Sequence, residues 1–249
     1  MSQAEVAMRS VLVLWDVDHT LIENNGVNKE TYARAFELLT GRRAEYPALT
    51  EGRTEPEIMH HMLLAHGIEE WDDYAARVPE IVETATLENA TRLRERGHVL
   101  PGAREVLTVL QGTPGVVQSV LSGNLRPNAF TKLSIFGLDV YIDFEVGGYG
   151  SDDYVRANLV GVARDRASVK YGTVFDKTTT ALIGDTPRDV QAGRVGGAYV
   201  IAVASGSDSV DVLRQEGADV VFADLRDTQA VVDAVTNLQR SQGQRVRQP

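Results

Sequence analysis

Short apolar runs recur along the chain, and most are separated by stretches whose apolar positions have helical spacing. The runs are rich in Val, Ile, Leu and Ala and are bounded by Gly, Asp and Ser, which is typical of strands buried on both faces of a sheet. The runs span residues 10–18, 115–124, 178–186, 198–206 and 218–225, with a weaker one at 140–148. This alternation predicts an α/β fold built on a doubly wound parallel sheet.

Residues 21–98 break the alternation, because they contain no convincing strand and read as a series of amphipathic helices. We therefore expect a Rossmann-like core of residues 1–20 and 99–235, interrupted by an all-helical cap subdomain of residues 21–98. Such an insert, placed directly after the first strand, could act as a lid over that strand's end. An ordinary helical subdomain without catalytic duty is the alternative. Residues 236–249 are predicted to be a disordered tail.

Composition and charge narrow the classes of partner. The formal net charge of −10 repels nucleic acid and anionic membranes, so neither is an expected partner. The chain has no Cys, which excludes thiol catalysis and zinc–thiolate sites and fits a cytoplasmic location. The sequence shows no signal peptide and no apolar run of the ~20 residues that a membrane span requires. Nothing in it indicates an oligomeric state.

Polar side chains follow three of the predicted strands. The first strand ends in Asp16 and Asp18, the second in the Ser-Gly-Asn of residues 122–124, and a later one in Asp185, with Asp189 shortly beyond. Ligands of open parallel sheets bind outside the carboxyl ends of the strands. If these strands are neighbours, four carboxylates and a hydroxyl converge at one edge of the sheet.

Four carboxylates so close together require a cation. Oxygen ligands without His or thiolate partners favour a hard ion, above all Mg²⁺. Asp16 could then attack phosphorus and form an aspartyl-phosphate. Asp18, on the other side of the strand's pleat, could protonate the leaving oxygen and later activate water.

The motifs resemble those of the haloacid dehalogenase-like hydrolase superfamily across residues ~10–225. The D-x-D-x-T motif is matched by residues 16–20, the Ser or Thr at the next strand's end by Ser122, and the acidic G-D-x-x-x-D motif by residues 184–189. The predicted insert is similar to the cap of the branch that contains phosphoglycolate phosphatase and beta-phosphoglucomutase.

The resemblance implies that Asp16 is the nucleophile and Asp18 the acid and base. It also implies that Mg²⁺ is held by the side chain of Asp16, the backbone carbonyl of Asp18 and the carboxylate of Asp185, with Asp189 behind these ligands.

The chain departs from the family pattern at two places. The family's phosphate-binding Lys is not plainly present; Arg156, just before a helix and 29 residues ahead of Asp185, fits its position, and Lys170 near that helix's end is the alternative. His19 occupies a position where the family usually has Gly. It is a candidate for contact with substrate, although an ordinary exposed His fits equally well.

Further candidates for substrate contact lie in two loops. We expect Ser122, Gly123 and Asn124 to bind phosphate together with Arg156, although Asn124 also suits a simple turn. Arg53, in the stretch 51–59, is a candidate specificity residue of the cap. The alternative for this stretch is a helix N-terminal loop with Thr54 as its cap.

The function that these residues favour is a Mg²⁺-dependent phosphatase that acts on a small phosphorylated metabolite through an aspartyl-phosphate. A phosphomutase shares the whole core and stays open as an alternative. A metal-independent 2-haloacid dehalogenase usually lacks the second Asp, so Asp18 argues against it. A phosphonatase adds a cap Lys, and Lys29 is the only Lys of residues 21–98. Loss of Asp16 or Asp18 would indicate a non-catalytic binding module, and both residues are present.

Overall fold

A six-stranded parallel sheet is the centre of the computed structural model, which describes residues 9–240. Its strands are β1 (Val11–Trp15), β4 (Val116–Ser122), β5 (Gly148–Tyr149), β6 (Thr180–Gly184), β7 (Tyr199–Val203) and β8 (Val220–Phe222). They lie side by side in the order β5-β4-β1-β6-β7-β8. Because β4 and β6 flank β1, the sequence motifs that follow these three strands come to one edge of the sheet.

Helices cover both faces of the sheet. The helices of this core are α6 (Ala103–Gln111), α7 (Arg126–Ile135), α8 (Arg156–Tyr171), α9 (Pro187–Gly196), α10 (Val210–Gln215) and α11 (Thr228–Arg240). Alternate residues of β1 serve opposite faces, as the pleat of a strand requires. Val13 and Trp15 join a core cluster with α6 and α11, whereas Leu12 and Leu14 join one with α8 and α9. The predicted doubly wound parallel sheet is confirmed.

The chain leaves and re-enters this core through a short antiparallel ribbon of β2 (Ile22–Glu23) and β3 (His98–Val99). Five helices lie between these two strands and are called the helical insert below. They are α1 (Val27–Thr40), α2 (Glu55–Ala65), α3 (Asp72–Ala75), α4 (Val78–Glu88) and α5 (Ala90–Arg96). The insert buries its own apolar cluster, which includes Phe36, Met59 and Val82. The two ribbon strands were not predicted, since pairs of two residues leave no periodic pattern.

Two expectations differ from the structure. In the weak run 140–148, a 3₁₀ turn spans Asp139–Tyr141 and only the last residue enters a strand, because β5 pairs with just the last two residues of β4. The disordered tail predicted from residue 236 is wrong for 236–240. These residues continue α11, where Thr236 and Gln239 are buried. Residues 1–8 of the predicted core and 241–249 of the predicted tail lie outside the described part of the chain. None of the helices in residues 9–240 is long and apolar enough to span a membrane.

Candidate active site

The ends of β4, β1 and β6 bring the predicted acidic residues together. Trp15 at the end of β1 lies opposite Val120 on one side and Ile183 on the other. The next residue, Asp16, still donates its backbone N–H to the carbonyl of Ile183 at 2.8 Å. Its side chain therefore has a fixed origin between the two neighbouring strand ends.

Asp16, Asp185 and Asp189 form a buried acidic cluster in which one carboxylate oxygen from each lies within 4.8 Å of the others. Their exposed fractions are 8%, 2% and 1%. Asp185 follows β6 directly, and its Oδ1 accepts a hydrogen bond from Thr20 Oγ1 at 2.9 Å. Asp189 is fixed by a capping box with Thr186 at the start of α9.

The cluster carries an excess of buried negative charge. Burial, followed by the charge of Asp189, raises the pKa of Asp16 to about 7, although Arg156 opposes this shift. Burial and the charges of Asp16 and Asp189 raise the pKa of Asp185 well above its ordinary value. A hard divalent cation such as Mg²⁺ fits this donor set, because all three donors are oxygens and a cation would relieve their repulsion.

Arg156 is the cation that the structure places inside this cluster. Its Nη2 donates to Asp16 Oδ1 at 2.7 Å and to Asp189 Oδ1 at 2.5 Å, and its buried Nε has no partner among the described residues. Lys170, the alternative from the sequence, lies at the other end of α8, where it pairs with Asp143 and Glu145 at the surface. Only Arg156 of these two lies in the acidic site.

The loop after β4 links the predicted phosphate-binding residues to Asp18. Asn124 Nδ2 donates to Ser122 Oγ at 2.7 Å and to Asp18 Oδ2 at 3.1 Å. Gly123 contributes its carbonyl, which accepts a hydrogen bond from the backbone N–H of Glu55 at 2.8 Å. The side chain of Asp18 is therefore turned toward this loop and is not one of the three clustered carboxylates.

Lys132 is one of two residues near this site that the sequence interpretation missed. Its Nζ lies 2.7 Å from Asp18 Oδ2 and 2.7 Å from Asn124 Oδ1. Burial raises the pKa of Asp18, but the charge and hydrogen bond of Lys132 outweigh it and lower that pKa to about 2. The available signal was a Lys on the apolar side of α7, three residues after Ala129 and next to Leu133, which are both buried.

Glu55 was also missed, and it joins the helical insert to the core. This buried carboxylate accepts hydrogen bonds from the backbone N–H of Leu125 at 2.8 Å, from Asn128 Nδ2 at 2.7 Å and from Tyr32 Oη at 3.2 Å. Burial raises the pKa of Glu55. Since Tyr32 belongs to the insert and Leu125 and Asn128 to the core, Glu55 fixes one against the other.

The two predicted specificity residues both line the cavity above the acidic cluster. Arg53 is 19% exposed at its side chain, and its Nε lies 3.4 Å from Glu57 Oε1. Thr54 is the N-cap of α2, with its side chain accepting from Glu57 N, which confirms the helix N-terminal loop; the specificity role of Arg53 stays a prediction. His19 has the left-handed φ of 63°, which explains why Gly suits this position, and its Nδ1 lies 2.9 Å from Glu23 Oε2.

The cavity has a volume of about 260 Å³ and lies between the core and the insert. The insert and its entry contribute mainly polar side chains to its lining: Asn24, Asn28, Lys29, Tyr32, Glu51 and Arg53. The space therefore suits a small molecule that touches the acidic cluster at one end and these polar groups at the other.

Gly123 offers a test of how closely the insert must approach the core. A Cβ at this position would lie 2.0 Å from the carbonyl oxygen of Arg53. Gly123→Ala must therefore push the Arg53 loop away, and we expect kcat/KM for a phosphomonoester to fall about 10- to 100-fold, since small displacements at a reacting site have effects of this size. Gly161→Ala on α8 is the matched control, because a Cβ there meets no atom within 4 Å. Equal activity of the two variants would contradict the expectation.

Comparisons with known proteins agree with this geometry. A model of the haloacid dehalogenase-like hydrolase family matches residues 13–194, which is more than half of the chain. Pyrophosphatase PpaX from Halalkalibacterium halodurans is 24% identical over 230 residues, which cover 88% of this chain and 95% of that protein.

Two solved structures share the fold. A hydrolase from Pseudomonas syringae superposes with a TM-score of 0.63 at 20% identity, covering 91% of this chain and 99% of its own. A HAD hydrolase, family IA, variant 3, from Entamoeba histolytica superposes with a TM-score of 0.63 at 16% identity, covering 94% of this chain and 100% of its own.

Proposed function

The chain belongs to the haloacid dehalogenase-like hydrolase family, and we propose that it is a Mg²⁺-dependent phosphatase of a small phosphorylated metabolite. The observation that carries this proposal is the buried cluster of Asp16, Asp185 and Asp189 with Arg156, set beside Asp18 at the carboxyl ends of three neighbouring strands. Each of these groups has a task in phosphoryl transfer, which depends on positioning and on stabilisation of charge.

In the proposed reaction, Asp16 attacks phosphorus, so that an aspartyl-phosphate forms while the bond from phosphorus to the leaving oxygen breaks. Asp18 is ionised in the free protein, so it takes up a proton with the substrate, gives it to that oxygen, and then takes one from the water that hydrolyses the aspartyl-phosphate. Inorganic phosphate leaves and Asp16 is restored. Arg156 holds Asp16 in place through its 2.7 Å contact, and its guanidinium would supply positive charge next to the phosphate.

Asp16 and Asp185 would hold Mg²⁺ together with the backbone carbonyl of Asp18. Asp189 would lie behind these ligands. The ion would supply positive charge that lets a phosphate dianion approach a carboxylate. Ser122, Gly123 and Asn124 would bind the phosphate oxygens from the β4 side. The helical insert would act as a cap that excludes water and selects the leaving group. His19 and Arg53 would face the leaving group from the lining of the cavity.

The cavity of about 260 Å³, with the acidic cluster at one end, supports a small substrate. The pyrophosphatase among the relatives makes pyrophosphate one candidate. A phosphomutase remains the second candidate, because its core would be the same. We propose a cytoplasmic location, as the lack of Cys suggests, and no nucleic-acid or membrane partner for a chain of net charge −10.

The test is hydrolysis of p-nitrophenyl phosphate by the purified protein with Mg²⁺ and with EDTA, followed by a panel that includes pyrophosphate and small sugar and carboxylic acid phosphates. Mg²⁺-dependent release of phosphate supports the proposal. Transfer of the phosphoryl group within a sugar phosphate, without release of phosphate, would instead identify a mutase.

Arg53 is expected to act mainly on substrate binding. Arg53→Ala should raise KM for the best metabolite about 10-fold and change kcat less, because a cap residue that contacts the leaving group stabilises ground state and transition state alike. Arg43→Ala, an exposed Arg of the same insert, is the control and should leave KM unchanged. A drop in kcat without a change in KM would refute the specificity role.

A further inference from the structure

Lys132 is a buried ammonium group that the proposed reaction does not yet use. Its side chain is 3% exposed on α7. A buried Lys is costly unless it is paired and hydrogen-bonded. Both hydrogen bonds that its Nζ makes, to Asp18 Oδ2 and Asn124 Oδ1, go to residues of the candidate site. The fold therefore places this cation against the acid and base of the reaction, and its charge also acts on the buried carboxylate of Glu55.

The contacts of Asp18 are divided unequally between its two oxygens. Oδ2 accepts from Lys132 at 2.7 Å and from Asn124 Nδ2 at 3.1 Å, whereas Oδ1 has one long contact, 3.4 Å from Asn24 Nδ2. A carboxylate that transfers a proton must be held within hydrogen-bond reach of its partner. The two contacts on Oδ2 fix the rotation of the carboxylate, and Oδ1, held only by the longer contact with Asn24, is the oxygen that can meet a substrate.

The same cation connects Asp18 to the loop that would bind phosphate. Asn124 accepts from Lys132 through its Oδ1 and donates through its Nδ2 to both Asp18 and Ser122. Lys132 thus fixes the orientation of the Asn124 amide as well as that of Asp18. Its contacts set the distance between the proton-transferring group and the expected position of the phosphate.

We propose that Lys132 is a positioning residue that acts through Asp18: it holds Oδ2 so that Oδ1 exchanges the proton with the leaving oxygen and with water. This proposal rests on the proposed phosphatase function. Lys132 itself forms no bond to substrate and transfers no proton in this scheme.

Lys132→Met tests the proposal, because it removes the ammonium group and keeps an unbranched side chain that is one atom shorter. We expect kcat for p-nitrophenyl phosphate to fall about 30- to 100-fold, a large part of what general acid–base catalysis contributes, with KM within about 3-fold. Lys132→Arg should restore part of kcat. Lys170→Met is the control, since Lys170 is likewise an ion-paired Lys but lies at the surface, where it contacts Asp143 and Glu145; this variant should keep the wild-type rate.

A double-mutant cycle distinguishes action through Asp18 from a general structural role. Rates of Asp18→Asn and of Asp18→Asn/Lys132→Met are measured in single turnovers with enzyme in excess. We expect the second substitution to change the rate of Asp18→Asn less than about 3-fold, because the group that Lys132 positions is already disabled. An equal loss in both backgrounds would overturn the proposal.

Unfolding temperatures of all variants separate misfolding from misplacement. If Lys132→Met does not fold, Lys132→Arg takes its place in the cycle and should lower kcat only when Asp18 is present. Failure of the proposed function has a different signature, namely a wild-type protein without Mg²⁺-dependent hydrolysis, and it would remove this inference as well. The role of Lys132 is refuted, and the proposed function is kept, if the wild type is active, Asp16→Asn is inactive and Lys132→Met is fully active.

Discussion

Asp16→Asn is expected to abolish hydrolysis of p-nitrophenyl phosphate, with kcat lowered more than about 10³-fold, because an amide cannot replace the carboxylate as nucleophile. The same variant should yield no covalent phosphoenzyme. The measurement is the intact mass after acid quenching during turnover, which in the wild type should include a fraction heavier by one phosphoryl group. Asp165→Asn, an exposed carboxylate on α8, is the control and should keep full activity.

The loss of activity should not come from loss of the fold. Burial and Asp189 raise the folded-state pKa of Asp16 from 3.8 to about 7. The folded state therefore binds this proton more tightly than the unfolded state, and stability falls as the pH rises from about 4 to about 7 and stays reduced above that. In metal-free protein at pH 8, Asp16→Asn removes this cost, so its unfolding temperature should equal or exceed that of the wild type.

Two results would contradict this picture. Activity above about a tenth of the wild type in Asp16→Asn would point to a different nucleophile, since residual catalysis without the attacking group is normally far smaller. A clearly lower unfolding temperature would mean that the contact between Arg156 and Asp16 stabilises the fold more than the clustered carboxylates destabilise it.

The residues that the sequence located correctly in space are those that follow strands. Asp16 and Asp185 come directly after a buried strand and Ser122 is the last residue of one, and parallel pairing brings such positions to one edge whatever the helices do. Arg156 was placed by its distance along the chain from Asp185 and by its resemblance to a family motif. Their roles are proposals, but predicting that these residues lie close together required only that the three strands be neighbours.

Lys132 and Glu55 could not be located in the same way, because both act from helices. Which residue of α7 faces Asp18 depends on how that helix is rotated against the sheet, and a Lys in a helical stretch is usually a solvated side chain. Glu55 stands at the start of α2, where an acidic residue is expected simply for the helix dipole. Its contact with Leu125, seventy residues later, exists only after the insert has docked.

The largest effect of a change in conditions is expected from removal of the metal. EDTA should reduce the hydrolysis rate to background and Mg²⁺ should restore it, because phosphate cannot approach three clustered carboxylates without a compensating cation. Binding should also be visible without turnover. At a Mg²⁺ concentration 100 times its Kd, the expected stabilisation of about 2.7 kcal/mol raises the unfolding temperature by roughly 5–10 °C in a chain of this size.

Asp185→Asn separates a metal site from a merely acidic one. It should shift the Mg²⁺ titration to much higher concentrations in both activity and unfolding temperature, whereas Asp165→Asn should follow the wild-type curve. The metal-free Asp185→Asn protein should unfold at the same or a higher temperature, because burial and two neighbouring charges raise the pKa of Asp185 and make its ionised form costly. If activity instead survives EDTA in the wild type, then Arg156 alone offsets the charge of Asp16, and the chemistry is that of a metal-independent nucleophilic carboxylate.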